Sequence, residues 1–257
     1  MSGTRLAARQ ILYENRAFWR NPPSAFFTFA FPLIFLVIFN LLFGNETIRV
    51  PGGETSASTF FVPAIATLAI VTATFTNLAT SVSFARDQGL LKRYRGTPLP
   101  AWAYLTGRVA HAILITILLV AIVTAFGALF YGVDVPTNTL PAVLVALAVG
   151  GFAFCSLGLA MTAAVPNADA APAVVNAVIL PLLFISDVFI QTDQAPEWVS
   201  TLGSIFPVKH LSEALQTAFN PFHTGAGFEW GHIGIVAAWG VAGLILAFRF
   251  FSWEPRT

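Results

Sequence analysis

Residues 84–100 read Phe84-Ala85-Arg86-Asp87-Gln88-Gly89-Leu90-Leu91-Lys92-Arg93-Tyr94-Arg95-Gly96-Thr97-Pro98-Leu99-Pro100. This is the most charged stretch of a chain that is otherwise close to a hydrocarbon. Arg86, Lys92, Arg93 and Arg95 stand against a single acid, Asp87, and long apolar runs flank both sides. Gly89 breaks the helix before it, because glycine loses the most backbone freedom when fixed. Leu90, Leu91 and Tyr94 then fall at helical spacing and form one apolar strip. Thr97-Pro98-Leu99-Pro100 ends the run, since proline lacks a donor and restricts the residue before it. The expected element is a short amphipathic helix, bounded at both ends, between two membrane spans. Such an element is either a basic loop that fixes orientation or a docking surface for a soluble partner.

The whole chain argues for lipid on either side of that stretch. Its 257 residues are 56% hydrophobic and 10% charged, whereas a soluble domain carries about a quarter charged residues. Without lipid such a chain would precipitate. The expected class is all-α, a polytopic helical membrane protein. A net charge of +1 gives no ground for a nucleic-acid partner. The lone Cys155 excludes an intramolecular disulfide. The chain opens on a basic polar segment instead of a short apolar core, so no cleaved leader is expected.

Six spans are expected: about Phe26–Phe43, Phe60–Ser83, Leu105–Tyr131, Leu140–Ala164, Ala173–Ile190 and Trp230–Phe251. Before the first, residues 1–22 hold Arg5, Arg9, Arg16 and Arg20 on a narrow arc of one helix face. That pattern suits an interfacial helix whose arginines reach headgroups and water. Pro51-Gly52-Gly53 marks a turn in the polar segment after the first span. Residues 191–228 hold two amphipathic candidates too short to cross, Ala195–Gly203 and Pro207–Phe219. Positive charge sorts the loops. Four arginines precede the first span, Arg86, Lys92, Arg93 and Arg95 lie between the second and third with Arg108 in the first turn of the third, and Arg249 and Arg256 stand at and beyond the end of the sixth. The opposite loops hold Arg49 and Lys209. Both termini are therefore expected in the cytoplasm.

Two motifs carry a resemblance. Arg86-Asp87-x-Gly89-x-Leu91, followed by the basic cluster and Thr97-Pro98-Leu99, resembles the loop after the second span of type-2 ABC exporter permeases, of the daunorubicin-resistance and nodulation-factor kind. Ala85 stands where that family often has an acid. Phe206-Pro207-Val208-Lys209-His210-Leu211 is similar to the aromatic-Pro step that precedes the family's short re-entrant helix. The resemblance extends over nearly the whole chain in span number and loop placement. It implies a single transmembrane domain over residues 1–257, with residues 84–100 as a coupling helix seated in a separate ABC ATP-binding subunit. The implied contact residues are Arg86, Asp87, Gly89, Leu90, Lys92, Arg93, Tyr94, Arg95, Thr97 and Pro98. It further implies pairing with a second permease, identical or similar, in the cell's cytoplasmic membrane. ATP and Mg belong to the partner, and no cofactor is expected in this chain.

Little else in the sequence carries chemistry. Lys92 and Lys209 follow no glycine-rich phosphate loop, so a nucleotide site is not expected. His111, His210, His223 and His232 are scattered, and no metal site is expected from their spacing. Neither a self-contained carrier, which wants deep ionisable groups, nor an intramembrane enzyme finds its residues here. A permease subunit for a lipophilic or amphipathic solute, a drug or lipid, fits best. For its path, span two offers Thr67, Thr74, Asn77 and Ser81 on one face. Span five offers Asn176, Leu180, Leu183 and Phe184. A path for such a solute needs large apolar walls with a few polar groups.

Overall fold

The computed structural model describes residues 3–97, 99–189 and 196–254, apart from the Arg95 side chain. Pro98, expected at the docking surface, and the start of the first short segment after residue 190 lie outside the described residues. Helix α1 (Gly3–Trp19) leads into α2 (Pro22–Phe43), which opens with proline in its first turn and with Asn21 accepting from the Ser24 amide. A hairpin of β1 (Thr47–Val50) and β2 (Gly53–Ser56) follows, in the register Arg49 opposite Glu54. Its turn rests on Gly52 at φ 100, a conformation that favours glycine. The sequence expectation here was the turn alone. Four-residue strands without apolar alternation leave no strand signal.

Helices α3 (Ala57–Val71) and α4 (Asn77–Asp87) are joined by a π-helical segment, Thr72–Thr76, into one rod of 31 residues. Then come α5 (Leu90–Arg95), α6 (Ala101–Tyr131), α7 (Leu140–Met161), α8 (Ala171–Phe184), α9 (Glu197–Gly203), α10 (Pro207–Phe219) and α11 (Trp230–Phe250). Among the described residues five helices are long and apolar enough to cross a bilayer: α2, the α3–α4 rod, α6, α7 and α11. The fifth expected span differs. It is a helix of only 14 residues, α8, which ends at Phe184 where Ile185–Phe189 turn away. Asp187 in that turn has φ 54, a left-handed conformation that a short polar side chain tolerates.

Burial ranks the helices. In the rod 89% of the apolar window is buried, against 17% in α2 and 28% in α11. The rod is thus the axis, while α2, α6 and α11 turn phenylalanines and leucines outward, as lipid-facing helices do. Small residues let neighbours approach it and one another. At Gly158 a Cβ would come within 2.9 Å of the Phe75 carbonyl in the π segment, and at Gly243 within 2.9 Å of the Leu157 backbone. Such contacts replace the hydrophobic drive that lipid cannot supply between helices.

The two ends of the bundle differ in character. At one end lie the hairpin, α9 and α10. Asn220 donates to the Pro51 carbonyl at 2.9 Å and Gln216 to Phe60 at 3.1 Å, so α10 is tied to the hairpin and to the top of the rod. At the other end lie α1 and α5. Glu14 of α1 meets Arg108 of α6 at 3.4 Å with both side chains largely buried, and Gln10 donates to Glu14 at 2.8 Å. The arginine arc of α1 is exposed, as an interfacial helix requires.

Candidate functional site

Two regions bring chemistry-bearing residues together: the base around α5, and a cleft beside the π segment. At the base, Gly89 takes φ 68 and so reverses the chain between α4 and α5. Leu91 is completely buried, against Tyr104, Leu78 and Val82, and such burial is worth roughly 1.5–3 kcal/mol over an exposed position. The Tyr94 ring packs on Tyr104 with centroids 4.9 Å apart. Burial pushes the Tyr94 hydroxyl above the usual phenol range, and neighbouring Tyr13 and Glu14 push it the same way. Thr97 closes the helix: its hydroxyl donates to the Tyr94 carbonyl at 2.7 Å and accepts from the Leu99 amide. Leu90, Lys92 and Arg93 are left pointing out of the protein. Of the expected apolar strip Leu91 and Tyr94 pack inward while Leu90 turns out beside Lys92 and Arg93, whose basic face is exposed as expected.

Arg86 and Asp87 do something else. Arg86, expected among the contact residues, is buried at 1% exposure. Its guanidinium donates to the carbonyls of Thr162 at 2.8 Å and Val165 at 2.7 Å. Asp87 accepts from the Ala168 amide at 2.6 Å, and Asn167 from the Ala170 amide at 2.9 Å. The physical reason lies in the α7–α8 turn. The end of α7 leaves carbonyls without helical partners, and the start of α8 leaves amides. A planar guanidinium spans the carbonyls of Thr162, which caps α7, and of Val165 in the turn, and the Asp87 carboxylate takes the Ala168 amide of the same turn. Arg86, in the last turn of α4, thereby locks the end of the rod to this turn. The sequence missed this because the partners are main-chain groups some eighty positions away.

The second region is a cleft of about 680 Å³ between α2, the rod and α8. Phe35, Phe39, Phe61 and Phe189 wall it, and stacked or tilted ring pairs run through them. All four path residues expected on span five, Asn176, Leu180, Leu183 and Phe184, line it. The face expected on span two does not. Thr67 and Thr74 are fully buried, donating to their own helix at Pro63 and Ile70. Asn77 and Ser81 line a separate cavity of about 140 Å³, with Glu14, Arg108 and His111. Arg108 donates to the Ser81 hydroxyl at 3.1 Å. Leu68, Thr72 and Thr76 take their place on the cleft. Leu68, Thr72 and Thr76 are spaced four apart and so share the face of the rod opposite Thr67 and Thr74; it is this opposite face that meets α2 and α8.

One cluster runs against the reading of scattered histidines. His210, Glu213 and His232 converge at the hairpin end, with one ligand atom from each lying within 4.8 Å of the others. The one-turn spacing of His210 and Glu213 was visible in the sequence. The approach of His232, from the first turn of α11, was not.

Comparison with known proteins places the chain. It is 28% identical over 224 residues to the daunorubicin resistance ABC transporter permease protein DrrB1 of Streptomyces coeruleorubidus, an alignment covering 84% of this chain and 74% of that one. It is 26% identical over 228 residues to ycf38 of Porphyra purpurea, described as a transport permease, covering 84% and 76%. Over a shorter stretch of 156 residues it is 24% identical to the probable multidrug ABC transporter permease YbhR of Escherichia coli strain K12, covering 60% of this chain and 42% of that one. Residues 6–220 match the family described as ABC-2 type transporter, a stretch that takes in α1, the base around α5, the cleft and α10. The chain belongs to the ABC-2 type transporter family, as a membrane-spanning permease subunit of the ABC exporter kind.

Proposed function

We propose that this permease moves a lipophilic or amphipathic solute, a drug or lipid, through the cleft between α2, the rod and α8. The cleft is the observation that carries the reading. Its volume falls in the range of small-molecule sites, and its walls are mainly phenylalanine, leucine and isoleucine, with Glu46, Thr72, Thr76 and Asn176 as polar lining among the described residues. Among the described residues Glu46 is the one acid on it and sits at the hairpin end, beyond the last turn of α2. A proton-coupled carrier wants such a group at mid-depth. In the proposed arrangement α1, α5 and both termini face the cytoplasm, in agreement with the arginine distribution. The membrane is the cell's cytoplasmic membrane. A separate ATP-binding subunit, carrying ATP and Mg, seats the exposed face of α5. A second permease, identical or similar, completes the path.

The test is co-expression with the cognate ATP-binding subunit, reconstitution into lipid nanodiscs, and measurement of ATP hydrolysis. The probes are daunorubicin, the drug in one relative's name, and a lysophospholipid. At least one probe is expected to stimulate hydrolysis in the wild type. Phe184→Ala and Thr76→Val, at the cleft wall, are expected to shift the half-maximal concentration several-fold while the melting midpoint stays near that of the wild type. An unchanged concentration dependence in both variants would remove the cleft from the path.

A further inference from the structure

The hairpin end holds a cluster that the transport reading does not use. His210 lies on α10, buried, with its Nε2 at 2.8 Å from the Ser204 carbonyl. A carbonyl only accepts, so Nε2 carries the proton and Nδ1 is left with its lone pair. That lone pair points at His232 Nδ1, 2.8 Å away on the first turn of α11. His232 Nδ1 is in turn 2.9 Å from Glu213 Oε2. Three electron-rich atoms from two helices thus converge, with a single proton on His232 Nδ1 shared between two acceptors.

We infer that His210, Glu213 and His232 form a binding site for a divalent transition metal, zinc in class, that clamps α10 to α11. Two imidazoles and a carboxylate are a donor set that zinc takes readily, with a fourth position left for water. The set is already prepared in the manner of metal sites: a ligating imidazole commonly fixes its tautomer by donating its other N–H to a carbonyl, as His210 does to Ser204. Spacing agrees. Tetrahedral bonds of about 2.0–2.1 Å place two ligand nitrogens about 3.3 Å apart, so the imidazoles need to part by about half an ångström. His232 has that freedom, because it is a third exposed at a helix start. Binding replaces the shared proton on His232 Nδ1, which leaves to solvent as the ion enters. Access exists too. A cavity of about 330 Å³ beside the hairpin is lined by both Glu213 and His232. The nearby cations do not oppose an ion there. Lys209 is paired with Asp187 at 3.4 Å, and Arg49 with Glu54 at 3.1 Å.

The experiment uses the full chain without a histidine tag, purified in detergent. Zinc ion is titrated while the melting midpoint is followed, and competition with a chromogenic chelator gives the affinity. Cobalt ion reports coordination through its visible absorption. The expected result is one zinc per chain, a midpoint that rises with zinc concentration, and a four-coordinate cobalt spectrum. His232→Gln and Glu213→Gln are expected to weaken binding by at least about tenfold, the loss that even an outer-sphere partner commonly carries. His223→Gln, at an exposed histidine outside the cluster, is expected to bind as the wild type does. The metal-free midpoint of each variant reports folding separately, so a folding defect is not read as lost binding. Absence of any zinc-dependent shift in the wild type would overturn the site, leaving a proton-sharing triad. Equal binding by wild type and both ligand variants would overturn it as well.

Discussion

Arg86 shows how much one side chain can settle in a membrane protein. Its fork closes two carbonyls at the end of α7, and hydrogen bonds from a charged donor are worth about 1.5–3 kcal/mol each. Arg86→Ala is therefore expected to lower stability by about 3 kcal/mol, read as the unfolding midpoint in detergent. Arg86→Lys recovers only part, because an ammonium is a point charge and cannot span both carbonyls. A wild-type midpoint in Arg86→Ala, with loss of ATP-binding-subunit capture, would return Arg86 to the docking surface. The same residue marks a limit of sequence reading. A charged residue beside a basic cluster looks like more of that cluster, and nothing local announces main-chain partners at Thr162 and Val165. Thr67 and Thr74 fail for a related reason. Their hydroxyls bond their own helix, so a polar row in the sequence is no polar surface in the fold.

At the level of elements, what was legible follows from hydrophobic runs and punctuation. Helix α10 begins at Pro207 and ends at Phe219, the bounds expected from its amphipathic pattern. Helix α5 is bounded as expected, because Gly89 and Thr97 close it by local geometry alone, and it buries Leu91 and Tyr94 of its expected strip while Leu90 turns outward. What was not legible is register. Leu68, Thr72 and Thr76 share one face by spacing alone, but helical periodicity does not tell which face of a rod meets α2 and α8, so they could not be placed on the cleft in advance. Two substitutions in α5 separate docking from folding. Arg93→Glu reverses an exposed charge and is expected to change stability by no more than about 0.5 kcal/mol while ATP-binding-subunit capture in a pull-down falls. Gly89→Val has open space around its side chain, yet its backbone must hold φ 68. A strained left-handed residue costs about 1–3 kcal/mol, and the angle between α4 and α5 is expected to relax with the same loss of capture. Full capture and transport in both variants would leave the basic face with an orientation role only.

Across the whole molecule the bundle is arranged about the buried rod, and α8 is its shortest wall. A helix of 14 residues is about 21 Å long, whereas the hydrocarbon core of a bilayer is about 30 Å thick. Main chain that leaves a helix at that depth must be covered by protein, and Ser186, Val188 and Phe189 are indeed buried, with Ser212 of α10 donating to the Asp187 carbonyl at 3.2 Å. Among the described residues α8 keeps apolar side chains exposed on two faces: Val178 on one, and Leu180 and Phe184, which line the cleft, on the other. Where lipid meets a helix shorter than the hydrocarbon core, the bilayer accommodates it by local thinning, at a cost that grows with the length of the acyl chains. Transport is therefore expected to fall as the permease is reconstituted in phosphatidylcholines of increasing chain length, and to be highest in the thinnest bilayer that keeps the bundle folded. A rate that stays flat across the lipid series would mean that a partner helix, and not lipid, lies against α8.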